Sequence, residues 1–260
     1  MPANRIHVEP AHFYTGLVAD LYEPLVGDPS RPDDYVPFLD AAGSPALELA
    51  CGAGTPMLEL IQRGYEIEGV DSSPDMLDHC RRRASDLGLE VVLYEQEMQR
   101  LALPRRYRAI FLAGASFTLL PSDAAARETL RRMHEHLMPG GSVLIPLSQI
   151  APGPDRQSLP GTPAREVTGA DGVRLSVEGR SVEIDRPART VSVRLRYERS
   201  APGSEPEIVE RDWRTRWWTQ PHFRALLEEA GFERITAVGP TGGRATEDAL
   251  VFAFLAQRTS

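Results

Sequence analysis

From Ala46 onward, short apolar runs rich in β-formers alternate with longer segments in which apolar residues recur three and four positions apart. The runs ALELA (46–50), YEIEGV (65–70), LEVVLY (89–94), YRAIFLAG (107–114) and GSVLIPLSQ (141–149) read as five strands. Between them TPMLELIQRG, SPDMLDHCRRRASDLG and SDAAARETLRRMHEHLMPGG read as crossover helices, each running to a glycine stop. Ser73 followed by Pro74 is an N-cap and a first-turn proline, which fixes where the second of these helices begins. Alternation of this kind specifies an α/β chain with a parallel sheet covered by helices.

After the fifth strand the periodicity changes. Residues 151–162 are rich in Pro and Gly, and then VRLSVEGRSVEIDRPARTVSVRLRYERS (173–200) and PEIVERDWRTRWW (206–218) alternate apolar with charged positions, the mark of half-buried antiparallel strands. Thr219 caps a last helix, QPHFRALLEEAGF, and ERITAVGP and EDALVFAFLAQR read as two closing strands, which brings the main sheet to seven. Ahead of the first strand, HFYTGLVADLYEPLV and PDDYVPFLDAAG read as helices expected to lie across the sheet edge. The chain thus divides into a helical N-terminal segment (1–42), a sheet domain (43–150 and 217–260) and an antiparallel insertion (151–216).

Composition narrows the chemistry. The chain has 260 residues, 42% of them hydrophobic, enough for a sizeable core. All 29 basic residues are arginine, the formal charge is −8, and the only arginine run is 81–83, so no basic stripe points to nucleic acid. No apolar run reaches the length of a membrane span and no signal-like core opens the chain, so a cytoplasmic location is expected. Cys51 and Cys80 are too sparse for a disulfide framework, and no His or Cys pair has metal-ligand spacing, so no metal is expected.

In an open parallel sheet, ligands sit beyond the carboxyl ends of the strands where strand order reverses. Gly52 and Gly54 lie in the first such loop, where glycine permits positive φ and close approach to bare main chain. Asp71 closes the second strand, in place to accept both hydroxyls of a ribose, and Glu97 and Met98 follow the third as an acid beside an apolar residue suited to an adenine edge. A dinucleotide pyrophosphate favours a third glycine where this chain has Met57, and a chain without lysine cannot form a Tyr-x-x-x-Lys pair. Both points argue against the competing reading, a nicotinamide-dependent oxidoreductase. Glu48 adds an acid beside the loop, as a cationic, phosphate-free nucleoside would require.

ELACGAGT, GVDSSPDML, the EM pair and FRALLEEAGFERI together resemble a class I S-adenosylmethionine-dependent methyltransferase with a Rossmann-like seven-stranded sheet. The resemblance implies that Glu48, Ala50, Gly52 and Gly54 line the methionine end and Asp71 holds the ribose. It further implies that Ser72 and Met76 flank the adenine beside Glu97 and Met98, and that Leu112 to Phe117, with Leu112 and Ala113 on the cofactor, lie by the sulfonium. Ala50 departs from the usual first glycine, and Glu97 stands where aspartate is commoner.

The N-terminal helices and the insertion are similar to a subset that includes glycine N-methyltransferase and the amino-sugar and lincosamide N-methyltransferases. In that subset the leading segment covers the cofactor, and the inserted sheet roofs the pocket or joins copies of a homo-oligomer. On this reading Tyr14 and Tyr22, eight residues apart, are lid candidates or packing residues, Phe117 touches the methyl acceptor, and His12 is the remaining candidate base. His79, His134, His136 and His222 fall within covering helices, where packing or exposed roles are expected, and His7 lies near the terminus. Trp213, Trp217 and Trp218 with Arg211, Arg214 and Arg216 form either a substrate wall or an amphipathic packing sheet. The expected activity is methyl transfer to a small-molecule amine of secondary metabolism, with O- or C-methylation as alternatives and S-adenosylhomocysteine as product.

Overall fold

The computed structural model describes residues 12–27, 30–240 and 242–259. The described residues form two compact units, one of 12–27 and 152–216, the other of 30–151 and those from 217 onward.

The larger unit is built on strands β1 (Ala46–Leu49), β2 (Ile67–Asp71), β3 (Leu93–Glu95), β4 (Tyr107–Leu112) and β5 (Leu137–Ser148), closed by β11 (Glu233–Val238) and β12 (Val251–Gln257). Their spatial order is β11-β12-β5-β4-β1-β2-β3, with β12 antiparallel to β5 and to β11 and the rest parallel. The central strands β1, β2 and β4 are buried along nearly their whole length because both of their faces are covered. On one face Leu47, Leu49, Ile110, Leu112 and Val143 pack against α5 (Asp123–His136) and α6 (Gln220–Glu229) through Leu130, Met133, Phe223 and Leu226. On the other, Ala46, Ile67, Ala109 and Phe111 meet α2 (Val36–Ala42), α3 (Met57–Gln62) and α4 (Pro74–Asp86) through Phe38, Leu58, Leu60, Leu77 and Cys80. Ser73, Ser122 and Thr219 cap α4, α5 and α6 through their side-chain oxygens.

The smaller unit is an antiparallel sheet in the order β10-β9-β8-β6, with β7 also paired to β8. Its strands are β6 (Arg156–Pro160), β7 (Arg165–Thr168), β8 (Arg174–Asp185), β9 (Thr190–Ser200) and β10 (Glu207–Arg216). One side of this sheet carries Leu175, Val177, Leu195, Tyr197, Val209 and Trp213, and Phe13, Leu17, Val18, Leu21 and Leu25 pack against it. Arg199 pairs with Asp20 at 2.7 Å and Arg211 donates to the Phe13 carbonyl, which fixes the segment on the sheet.

Several expectations are corrected here. The segment around α1 (Leu17–Leu21) was expected at the edge of the parallel sheet; its own packing partner is the insertion. Its apolar stripe meets the apolar face of the insertion, within the smaller unit. α2 lies on a face of the main sheet, not at its edge. The helix read as running to Gly140 and Gly141 stops at His136, and those glycines lie inside β5. β6 and β7 run through residues read as a Pro/Gly-rich connector and its sequel. Both are almost wholly exposed, so no apolar alternation marks them. Among the described residues, no helix is long and apolar enough to cross a membrane.

Candidate functional site

Strand register sets the site. Leu49 at the end of β1 is paired with Val70 on one side and Leu112 on the other, and Asp71 is paired with Glu95 on β3. The residues following these strands therefore emerge side by side at the carboxyl edge, and connections leave β1 in opposite directions from β4. That is the reversal point of the sheet. Glu48, Ala50, Gly52, Gly54, Asp71, Ser72, Met76, Glu97, Met98, Leu112 and Ala113 all belong to these strand ends, the turns after them or the first turn of α4.

The loop after β1 is held from two sides. The Gly52 N–H donates to Asp71 Oδ2 and the Ser73 N–H to Asp71 Oδ1, both at 2.8 Å. One carboxylate thus joins the glycine loop to the N-terminus of α4. Burial pushes its pKa up, while these amides and that of Ser72 hold it down. From the opposite side Arg83 Nη1 donates to the Ala53 carbonyl and to Thr55 Oγ1, each at 2.9 Å. Arg83 had no role in the sequence reading. Its only signal there was membership of an arginine run that reads as a solvated helix face.

Main-chain conformation in the loop is unusual. Ala50, Gly52 and Gly54 have φ of 56°, 51° and 90°. Gly54 is required by packing as well, since a Cβ there would meet Leu58 Cγ at 2.7 Å and Cys80 Sγ at 2.8 Å. Gly69 on β2 does what a third loop glycine would do. A Cβ on it would stand 2.8 Å from Cys51 Sγ and 2.9 Å from Met57 Sδ. The departure at Ala50 places a Cβ in left-handed backbone, which costs about 1–2 kcal/mol. Ala50→Gly is therefore expected to raise stability by about 0.5–1 kcal/mol after the greater freedom of glycine in the unfolded chain is subtracted. Thermal unfolding checks this, and a lowered midpoint would contradict it.

Glu48 is wholly buried on the α3/α4 side of β1, facing the interior beneath the loop. The thiols of Cys51 and Cys80 share that space. Burial, with a contribution from the Glu48 charge, pushes Cys80 up to about 12 and Cys51 well above the ordinary thiol range. Both cysteines are free and buried, a setting that favours the protonated thiol. Met76 lies beneath Gly52, with Cε 3.2 Å from the place of a Cβ there. Glu97 precedes a single 3-10 turn (Met98–Arg100), and its carboxylate accepts from the Gln99 side-chain amide and pairs with Arg100 at 3.4 Å.

After β4 the chain turns at Gly114, whose φ is 65°. The Gly114 N–H donates to Tyr35 Oη at 3.1 Å, and the Tyr35 ring lies 5.5 Å from that of Phe111. Tyr35 was not singled out in the sequence reading, because nothing in a lone tyrosine before a short helix reveals which loop it will reach.

The remaining candidates are placed as follows. Phe117 does not face an open crevice. Its side chain is fully buried, edge-to-face with Trp218 at 5.5 Å and Phe223 at 5.1 Å. Tyr14 and Tyr22 belong to the smaller unit. Tyr14 precedes α1 and Tyr22 opens the π-helical turn Tyr22–Val26, yet their rings meet edge-to-face at 5.1 Å. His12 is exposed and its carbonyl accepts from Thr15 Oγ1. Trp213 packs against the smaller unit's core, and Trp218 is in the main core with its indole donating to Asp123 at 2.9 Å. His136 is structural, with Nδ1 2.8 Å from the Arg132 carbonyl and Nε2 accepting from the Leu103 N–H at 2.9 Å. His134 stacks edge-to-face on Phe232, and burial lowers its pKa. His7 lies outside the described residues.

A parallel sheet in this order, with a glycine loop bound to the acid that ends β2, defines the class of the methyltransferase fold. Residues 46–141 match the family model described as "Methyltransferase domain". Among curated proteins, a dTDP-3-amino-3,6-dideoxy-alpha-D-glucopyranose N,N-dimethyltransferase of Streptomyces fradiae is 31% identical over 141 residues, covering 51% of this chain and 53% of the relative. The chain spans about half the length of the curated relatives it matches. Two solved structures share the fold. The sugar N-methyltransferase KedS8 of a Streptoalloteichus species has TM-score 0.76 and 18% identity, over 100% of this chain and 99% of that one. CalS10, an amino pentose methyltransferase of Micromonospora echinaspora solved with S-adenosylmethionine, has TM-score 0.63 and 20% identity, over 87% and 91%.

Proposed function

We propose that this protein binds S-adenosylmethionine at the β1/β4 reversal point and transfers its methyl group to an amine nitrogen of a small molecule, an amino sugar of natural-product biosynthesis being the favoured class. The observation that carries the reading is the loop at 50–54, bare main chain locked to the Asp71 carboxylate within the segment that matches the methyltransferase family model. The amino-sugar class is supported by the N,N-dimethyltransferase relatives of two Streptomyces species.

The residues present suit this cofactor. Gly52 and Gly54 let a ligand approach the backbone, Asp71 retains acceptor capacity for ribose hydroxyls, and Glu97 and Met98 stand at the next strand end for the adenine. Glu48 places a negative group beneath the loop on the side of the amino-acid tail. When bound, S-adenosylmethionine supplies a methyl group already activated by a sulfonium. The chain's task is then to align a neutral amine in line with that methyl carbon and to exclude water, and the nitrogen releases its proton afterwards. In the smaller unit, the Tyr14 and Tyr22 pair is our candidate for holding the acceptor, one hydroxyl orienting the amine lone pair, with His12 as the candidate proton acceptor. Phe117 is not part of this proposal. A cytoplasmic location fits two free, buried thiols, and self-association is part of the proposal through the inserted sheet.

Calorimetric titration with S-adenosylhomocysteine and with NAD tests the cofactor. The expected result is binding of the former alone, and binding of NAD alone would overturn the reading. Incubation with S-adenosylmethionine and a matched panel of amino and hydroxyl sugars, read by mass spectrometry, tests the acceptor. Products heavier by a methyl group are expected only from the amines, and methylation confined to hydroxyls would shift the assignment to oxygen.

A further inference from the structure

The geometry points to Tyr35 as a positioning residue that sets the affinity for the amino-acid tail of the cofactor; this rests on the cofactor reading above. Leu112 is the last residue of β4 paired to β1, opposite Leu49. The next peptide, Ala113–Gly114, therefore stands at the reversal point, across from the start of the glycine loop. Its orientation is not imposed by sheet pairing, and Gly114, with φ at 65° and, among the described residues, only Ser30 Oγ at 3.8 Å from the place of a Cβ, is conformationally permissive. What orients this peptide is the Tyr35 hydroxyl, which accepts from the Gly114 N–H at 3.1 Å.

In a trans peptide the N–H and the C=O point in opposite directions. Tying the Gly114 N–H to Tyr35 therefore fixes the Ala113 carbonyl on the opposite side of the peptide plane, where Ser116 Oγ approaches it at 3.4 Å. A carbonyl oxygen has a second lone pair, and an ammonium has three protons to place. The Ala113 carbonyl, held at the mouth of the reversal point, is suited to receive one of them. Tyr35 is itself immobilised: it is nearly buried, its ring rests on Phe111, and it leads into α2, whose Phe38 also packs on Phe111. Its hydroxyl is thus a fixed point from which one peptide plane is set.

Tyr35→Phe removes the oxygen and keeps the ring on Phe111. The test compares wild type and this variant for binding of S-adenosylhomocysteine and of 5′-methylthioadenosine, which shares the adenosine and the thioether but lacks the amino-acid tail. The expected result is a loss of about 5- to 10-fold for S-adenosylhomocysteine, the usual scale of one hydrogen bond, with 5′-methylthioadenosine changed by less than about 2-fold. Unchanged binding of S-adenosylhomocysteine would overturn the proposal, as would an equal loss for both ligands, which marks a merely structural hydroxyl. A wild type that binds neither ligand would instead strike the cofactor reading itself.

Discussion

Asp71→Ala is expected to weaken binding of S-adenosylhomocysteine by about 30- to 100-fold, equivalent to about 2–3 kcal/mol. The size follows from two losses that fall together. On the proposed reading the carboxylate accepts from the ribose, and a charged hydrogen-bonding partner removed from a shielded site costs more than a neutral one. The same carboxylate accepts from the Gly52 and Ser73 amides at 2.8 Å, so its removal also frees the loop that shapes the cradle. Asp71→Asn separates the two contributions. It keeps one acceptor oxygen and nearly the same volume, and an intermediate loss of affinity is expected. Calorimetry of the three proteins checks the order, and an unchanged affinity for Asp71→Ala would refute the ribose assignment.

Phe117→Ala is expected to lower folding stability by about 3–5 kcal/mol, the usual cost of emptying a phenyl-sized space in a close-packed core. The ring contacts Trp218 and Phe223 and is wholly buried, so little rearrangement can fill the void. Phe117→Leu, which keeps most of the volume, is expected to cost less than about 1.5 kcal/mol and to retain turnover. Thermal and denaturant unfolding, set beside kcat for the leucine variant, distinguish the alternatives. Stability held with turnover lost would return Phe117 to the acceptor side.

The strand and helix order of the main sheet was legible because covered parallel strands must be mostly apolar and covering helices must show their stripe. ALEL and YRAIFL are such strands, and the caps Ser73 and Thr219 were read at the residues where they act. Edge strands were not legible: Arg165–Thr168 is exposed along its whole length, so burial left no trace in it. Within the candidate site, residues that belong to a continuous local motif were found, as with Gly52, Gly54 and Asp71. Residues that arrive from elsewhere, Arg83 from the last turn of α4 and Tyr35 from before β1, were not. Phe117 was misread because its position after β4 was known while the direction of its side chain was not.

The amino-acid sequence by itself determined the class of the sheet, the reversal point and the identity of the acid beside the glycine loop. These depend on periodicity and short-range spacing, and both are written along the chain. Only the tertiary structure decided which side chains hold that loop, that the segment before α1 packs on the inserted sheet, and that Trp213 and Trp218 serve separate cores. Such contacts join residues tens to almost two hundred positions apart, and their selection follows from which apolar faces remain to be covered once the local elements have formed.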